Sequence, residues 1–328
     1  MTSMTTLARD VLASIGNTTL VPLRNIAAGN GARILLKLES ENPTGSMKDR
    51  MALAMIEAAE SDDRLTPDGF VVEYTTGNTG AALALVCAVK GYPLHIVTSD
   101  AYAQGKRDHM ESLGATLHIV RSDNGRMTET LTRGMIEAAR VIAERPGNFW
   151  TNQLENTDQV VGYHGMADEI WSQTDGRIDA FVQSVGSAAS LRGTGERLRD
   201  RDRRITIVAV EPAESPVLSG GTTGAHGIDG MGAGFRVPLW RDDAADAIET
   251  VSTDDAKRMA SRLTREEGLF AGPSTGANVV AALRVAERLG RGATIVTVLC
   301  DTGMKYLEHH AASPHTGSAS WDSPLLTA

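Results

Sequence analysis

A lysine in the first turn of a helix is electrostatically out of place, because that end of a helix carries partial positive charge. Lys48 is such a residue, in the segment ENPTGSMKDR at 41–50. Dipole and desolvation would both lower its amine pKa, which suits a nucleophilic or Schiff-base lysine; the alternative is an exposed lysine paired with Asp49 or another nearby carboxylate. Thr75, Thr76, Gly77, Asn78 and Thr79, in TTGNTG at 75–80, offer backbone N–H groups and short hydroxyls to an anion such as a carboxylate. The competing reading is a plain turn capped by Asn78 or Thr79. Gly186, Ser187, Ala188, Ala189 and Ser190 form a small-residue turn in which the backbone can approach a phosphate at a helix N-terminus. It is not a Walker A loop, since no Gly-Lys-Ser/Thr follows, and Gly230, Gly232 and Gly234 are not followed by the helix a dinucleotide fingerprint needs. Cys300, Asp301, Thr302 and Gly303 close another apolar run. A hydroxyl or carboxylate there could meet a cofactor's ring nitrogen, or the segment is an ordinary strand-end turn. His309, His310 and His315 complete no ligand spacing, so no metal is expected.

These segments gain meaning from what precedes them. Apolar, β-rich runs at 33–39, 70–75, 94–98, 116–120, 180–185, 205–210 and 294–299 read as strands. Helical spacing of apolar residues covers 47–60, 78–90, 104–113, 127–144, 160–173, 253–267 and 274–289, and a further helix begins near Leu191. The alternation predicts an α/β fold of open, mostly parallel sheets flanked by helices, and several strands are apolar throughout, as expected when both faces are covered. Ligands in such folds bind beyond the carboxyl ends of strands, where all four segments fall. Residues beyond 310 lose periodicity and read as a flexible tail, 311–328.

The chain has 328 residues, enough for about two domains, with 32 Lys plus Arg against 41 Asp plus Glu. A formal charge of −9 argues against nucleic acid as a partner. The N-terminus lacks a basic, then apolar, signal pattern, and the apolar stretch ending at Lys90 is too short to cross a bilayer. Two cysteines, Cys87 and Cys300, lie in apolar runs far apart, which fits a reducing compartment. A cytoplasmic protein without membrane contact is expected.

An amine, a carboxylate loop, a phosphate loop and a ring-nitrogen partner are together what pyridoxal phosphate needs. The sequence resembles the fold type II pyridoxal-phosphate enzymes, and among them the cysteine synthase and cystathionine β-synthase group, from residue 15 to 307. The resemblance rests on IGNTTLVPL, KLESENPTGSMKDR, TTGNTG, NQLEN, VEP, GIDGMGAGF, EEGLFAGPSTGA and CDTGMKYL, in that order. It implies two sheets of the tryptophan synthase β type. The large cofactor domain would be 1–40 plus 150–310, and the smaller domain, closing on substrate, 41–149. It implies that Lys48 links covalently to the cofactor and acts as the Cα base, that Asn78 lies beside the ring hydroxyl, that Gly186 to Ser190 bind its phosphate, and that Thr302 faces the ring nitrogen. Thr75, Thr76, Gly77, Thr79 and Gln153 would hold the substrate carboxylate, with Gly232 lining the cleft. The implied reaction is β-replacement through an α-aminoacrylate, giving L-cysteine from O-acetylserine and sulfide in a homodimer. β-Elimination, or replacement with another nucleophile, uses the same residues. A non-catalytic binding protein on the same fold is the outside alternative, and Lys48 argues against it. The chain departs from the family where Gly-Ser-Ala-Ala-Ser replaces Gly-Thr-Gly-Gly-Thr, where Thr76 replaces a common Ser, and where QLEN replaces QFxNP.

Overall fold

The computed structural model describes residues 7–26, 29, 31–124 and 128–307; the tail expected at 311–328 lies outside them. Two sheets organise the chain. The first contains β1 (Leu20–Pro22), β2 (Arg33–Leu38), β7 (Ala180–Ser184), β8 (Thr206–Pro212), β9 (Ala247–Val251) and β10 (Thr294–Leu299), in the order β1-β2-β10-β7-β8-β9. Only β1 is antiparallel to its neighbour. The second, wholly parallel, contains β3 (Val71–Tyr74), β4 (Leu94–Ser99), β5 (Thr116–Val120) and β6 (Phe149–Trp150), in the order β5-β4-β3-β6. The α/β class and the two mostly parallel sheets are as the alternating pattern predicts.

The helices are α1 (Lys48–Ser61), α2 (Asn78–Lys90), α3 (Gln104–Ser112), α4 (Glu129–Ala143), α5 (Asp158–Gly162), α6 (His164–Gln173), α7 (Ala189–Arg201), α8 (Thr253–Arg262) and α9 (Pro273–Leu289). Two predicted helices are interrupted. The run at 160–173 breaks at Tyr163, and Gly162 before the break lies flush against α1: a Cβ there would sit 2.7 Å from Ala54 and 3.0 Å from the Arg50 carbonyl. The run at 253–267 is α-helical only to Arg262, then widens into a π turn, Leu263–Glu267, that ends at Gly268 with φ +73°. Three short strands, β1, β6 and β9, are additions to the predicted set.

Central strands β7 and β10 are buried along their whole length, so both faces carry helices. One apolar cluster joins β3, β4, α1, α2 and α7 across one face of the larger sheet. The other packs α8 and α9 on its opposite face.

Candidate functional site

Loops at the carboxyl ends of β2, β3, β7 and β10 converge. The junction is the segment after β10: the Cys300 carbonyl accepts from the Met47 amide at 3.0 Å, and the Thr302 amide donates to the Gly45 carbonyl at 2.9 Å. Lys48 therefore enters α1 directly beside the β10 exit. Among the described residues its amine has neither a hydrogen bond nor an ion pair. Asp49, the alternative partner, is turned away: its oxygens accept from the Thr44 amide at 2.8 Å and from the Thr44 hydroxyl. Burial pushes Asp49 up to about 6, against the pull of Thr44. Burial also lowers the Lys48 pKa, opposed by Cys300 and Asp301, so its amine is more readily neutral than a surface lysine's.

The Ser187 to Ser190 turn carries the clearest anion geometry. None of the amides of residues 187–190 donates to an acceptor among the described residues, although they stand at the N-terminus of α7. Free helix-terminal amides with an aligned dipole suit a phosphate. The turn is fixed from outside: Gln183 Nε2 donates to Ser190 Oγ at 2.9 Å, and Ser187 Oγ donates to Gln159 Oε1 at 3.1 Å. Gly186 and Gly232 let the 227–235 loop approach. A Cβ on Gly186 would lie 2.6 Å from the Gly230 carbonyl, and the Gly232 amide donates to the Val185 carbonyl at 2.9 Å.

The TTGNTG loop is a second such terminus. Gly77 has φ +154°, and its amide donates to Thr75 Oγ1 at 3.1 Å, whereas the amides of Thr76, Asn78 and Thr79 have no acceptor among the described residues. Thr79 Oγ1 donates to Gln153 Oε1 at 2.8 Å, and Gln153 Nε2 donates to the Tyr74 carbonyl at 2.8 Å. Asn78 crosses to the larger sheet. Its Nδ2 donates to Asp301 Oδ2 at 2.7 Å, and its Oδ1 accepts from Lys305 Nζ at 2.8 Å. Tyr306 also donates to Asp301 Oδ2, while Oδ1 is buried without a partner. Thr302 Oγ1 accepts from the Met304 amide at 3.3 Å, which leaves its O–H free to donate.

Sequence reasoning did not single out the residues behind these loops. Glu73, fully buried in β3, accepts from the Tyr74 and Gln153 amides, each at 2.9 Å, and from the Thr151 hydroxyl; burial pushes it up to about 7. Gln159 Nε2 donates to the Gln153 carbonyl at 2.7 Å, so one buried amide ties the Gln153 segment to the Ser187 turn. Asn278 Oδ1 accepts from the Ser184 amide at 2.6 Å. Glu73 carries a signal as a lone charge inside the predicted strand 70–75; Gln159, in the polar stretch ENTDQ, and Asn278, in the predicted helix 274–289, carry none.

An unpaired amine and two sets of free helix-terminal amides on converging loops fit a phosphorylated aldehyde and an amino-acid carboxylate, and define a cofactor enzyme of the α/β class. Residues 11–301 match the family described as pyridoxal-phosphate dependent enzyme. A cysteine synthase of Staphylococcus aureus is 41% identical over 295 residues, covering 89% of this chain and 93% of that one. A crystal structure of cysteine synthase from Entamoeba histolytica superposes with TM-score 0.88 at 35% identity, covering 94% of this chain and 91% of that one. O-ureido-L-serine synthase superposes with TM-score 0.88 at 32% identity, covering 97% and 98%. The chain belongs to the pyridoxal-phosphate-dependent enzyme family.

Proposed function

We propose that the protein forms L-cysteine from O-acetylserine, or a related β-substituted serine, and sulfide by β-replacement. The observation that carries this reading is the free Lys48 amine on a strand-end loop that converges with two others, whose amides at 187–190 and at 76, 78 and 79 are also free. Bound pyridoxal phosphate supplies an aldehyde carbon for an amine and a ring that draws electron density from Cα. The amides of Gly186, Ser187, Ala188, Ala189 and Ser190 would hold its phosphate, Asn78 would meet the ring's hydroxyl side, and the Thr302 hydroxyl would be the donor for its ring nitrogen. A neutral hydroxyl there would leave the ring less electron-withdrawing than a carboxylate would, which would favour loss of a β-substituent over transamination. Lys48 Nζ would hold the cofactor at its aldehyde and, when free, would be the base that takes up the substrate's Cα proton. Thr75, Thr76, Gly77, Thr79 and Gln153 bind the substrate carboxylate, with Gly232 on the opposite wall.

The identity with cysteine synthases supports the substrate pair. We further assign residues 41–149 as the unit that closes on substrate against 1–40 plus 150–310, and a homodimer in the cytoplasm as the working form. Among the described residues no helix is long and apolar enough to cross a membrane, and Cys87 and Cys300 are both free and buried.

The test is a spectrum of the purified protein with and without O-acetylserine and sulfide. A visible band that changes with O-acetylserine, returns with sulfide and yields cysteine, and is absent from Lys48→Ala, is the expected result. Pyruvate without cysteine would assign elimination instead. Protein that stays colourless with added cofactor would overturn the reading.

A further inference from the structure

A cavity of about 420 Å³ adjoins the site: Gly77, Asn78 and Thr302 line one part of it, Lys106, His109 and Lys305 another, and no Asp or Glu does. Sulfide is comparable in size to a water molecule, whose share of liquid volume is about 30 Å³, so this space is far larger than sulfide requires. Its charged lining is entirely basic. Lys305 Nζ donates to Asn78 Oδ1 and forms no ion pair among the described residues. An ammonium has three donors, so two are unused. Burial brings Lys305 down to about 8, against the opposing pull of Asp301 and Asp49. Lys106, whose side chain is 8% exposed, is fixed by an ion pair with Asp229 at 2.5 Å and lies 4.7 Å from the centre of the Tyr306 ring. His109 has no side-chain hydrogen bond among the described residues; burial and then Lys305 lower its pKa.

Lys305 is half-buried, and an ammonium with two unused donors in a cavity lined by no carboxylate is placed to meet an anion. We propose that this cavity is an oxyanion subsite, taking the carboxylate or phosphate of a small molecule on Lys305, with His109 on the facing side and Lys106 held in place by Asp229. The site stands on its lining alone. That its occupant is a reactant rests on the β-replacement reading, in which the oxyanion belongs to the leaving group or to the incoming nucleophile; a free anion is the other source.

Calorimetric titration of the cofactor-loaded protein with inorganic phosphate at low ionic strength tests this, because loaded cofactor occupies the 187–190 amides. Saturable binding is expected, weaker by about tenfold in Lys305→Met, the loss of one charged hydrogen bond, and retained in Lys305→Arg. His109→Leu checks the facing side and is expected to weaken phosphate less. Circular dichroism verifies that each variant is folded. Phosphate that raises the KM of O-acetylserine places the anion on the amino acid; a raised KM for the second substrate places it on the nucleophile; binding without either effect assigns a free anion. No saturable heat, or equal affinity in Lys305→Met, overturns the subsite. Cysteine formation is scored separately: phosphate binding without cysteine leaves the subsite standing and sinks the reaction, and cysteine without phosphate binding does the reverse.

Discussion

Ala188 occupies backbone that glycine would take without strain. Its φ is +72° and its side chain is buried, and a left-handed conformation costs a residue with a Cβ about 1–2 kcal/mol. Its neighbour Ala189 opens α7 with ordinary helical backbone. The two departures from the family's glycines therefore have opposite energetics. Ala188→Gly is expected to stabilise the cofactor-free protein by about 0.5–1 kcal/mol, the left-handed preference less the added freedom of the unfolded chain. Ala189→Gly is expected to lower stability by up to about 1 kcal/mol. Urea unfolding of both variants checks the pair, and equal signs would mean that the turn is not strained at Ala188. Glu73 gives a second prediction. Its folded pKa of about 7 lies above its unfolded value, so its contribution is fully present below the unfolded value, near 4.3, and is lost as pH rises through 7. Glu73→Gln is expected to flatten the stability profile between those limits. It should also raise the KM for the amino acid, because Oε1 serves Tyr74 and Oε2 serves both Thr151 and Gln153, so the amide leaves one or two of these donors without an acceptor; a KM change confined to the second substrate would refute that placement.

Helix α1 must hold Lys48 steady, and it is anchored by charge as well as by packing. Arg50, two residues on, forms two hydrogen bonds to Glu39, at 2.7 and 2.8 Å, and two to Glu169, each 2.8 Å. Lys37, with no exposed side-chain surface, meets Glu169 at 2.6 Å. Burial alone would raise Glu169, but Arg50 and Lys37 prevail and hold it near 2. Arg50→Met would leave Glu39 buried without its cation, and breaking one side of a buried pair costs about 3–5 kcal/mol. Lower urea stability together with weaker cofactor retention is expected; unchanged stability would show that the network is dispensable. This anchor also marks how far the sequence can be read. The strands at 116–120 and 294–299 and the helix at 78–90 have the observed boundaries, because apolar runs bounded by glycine or polar residues are local signals. The loops containing Lys48, Asn78 and Ser187 were legible for the same reason, since each follows a strand. Strands β1, β6 and β9 escaped because they are two to five residues long and mostly half-buried. The partnerships of Glu39 with Arg50, Glu73 with Gln153, and Gln159 with Ser187 depend on the tertiary fold, which no local pattern encodes.

At the scale of the whole molecule, two side-chain links tie α2 and α3, which flank the four-stranded sheet, to the larger sheet's loops at the site. Asn78 reaches Asp301 and Lys305, and Lys106 of α3 reaches Asp229 in the loop beyond β8. Both links start from the side of the four-stranded sheet and end on the larger sheet's loops, at the mouth of the cleft. A unit that closes on substrate needs side-chain contacts of this kind, strong enough to define the closed geometry and able to part without breaking the apolar core. Elements that move are drawn from the less stable part of a fold. Asp229→Asn removes the anion from a nearly buried Lys106 while leaving the apolar packing of β10 and α9 intact. Hydrogen exchange of the cofactor-loaded variant is therefore expected to speed up in α3 and the first turn of α2, with β7, β10 and α9 as protected as in the parent protein. The amino-acid KM should rise with it, since the 76–79 amides belong to the loosened side. Uniformly faster exchange across both sheets would instead mean that they open as one cooperative unit, and closure by residues 41–149 would have to be abandoned.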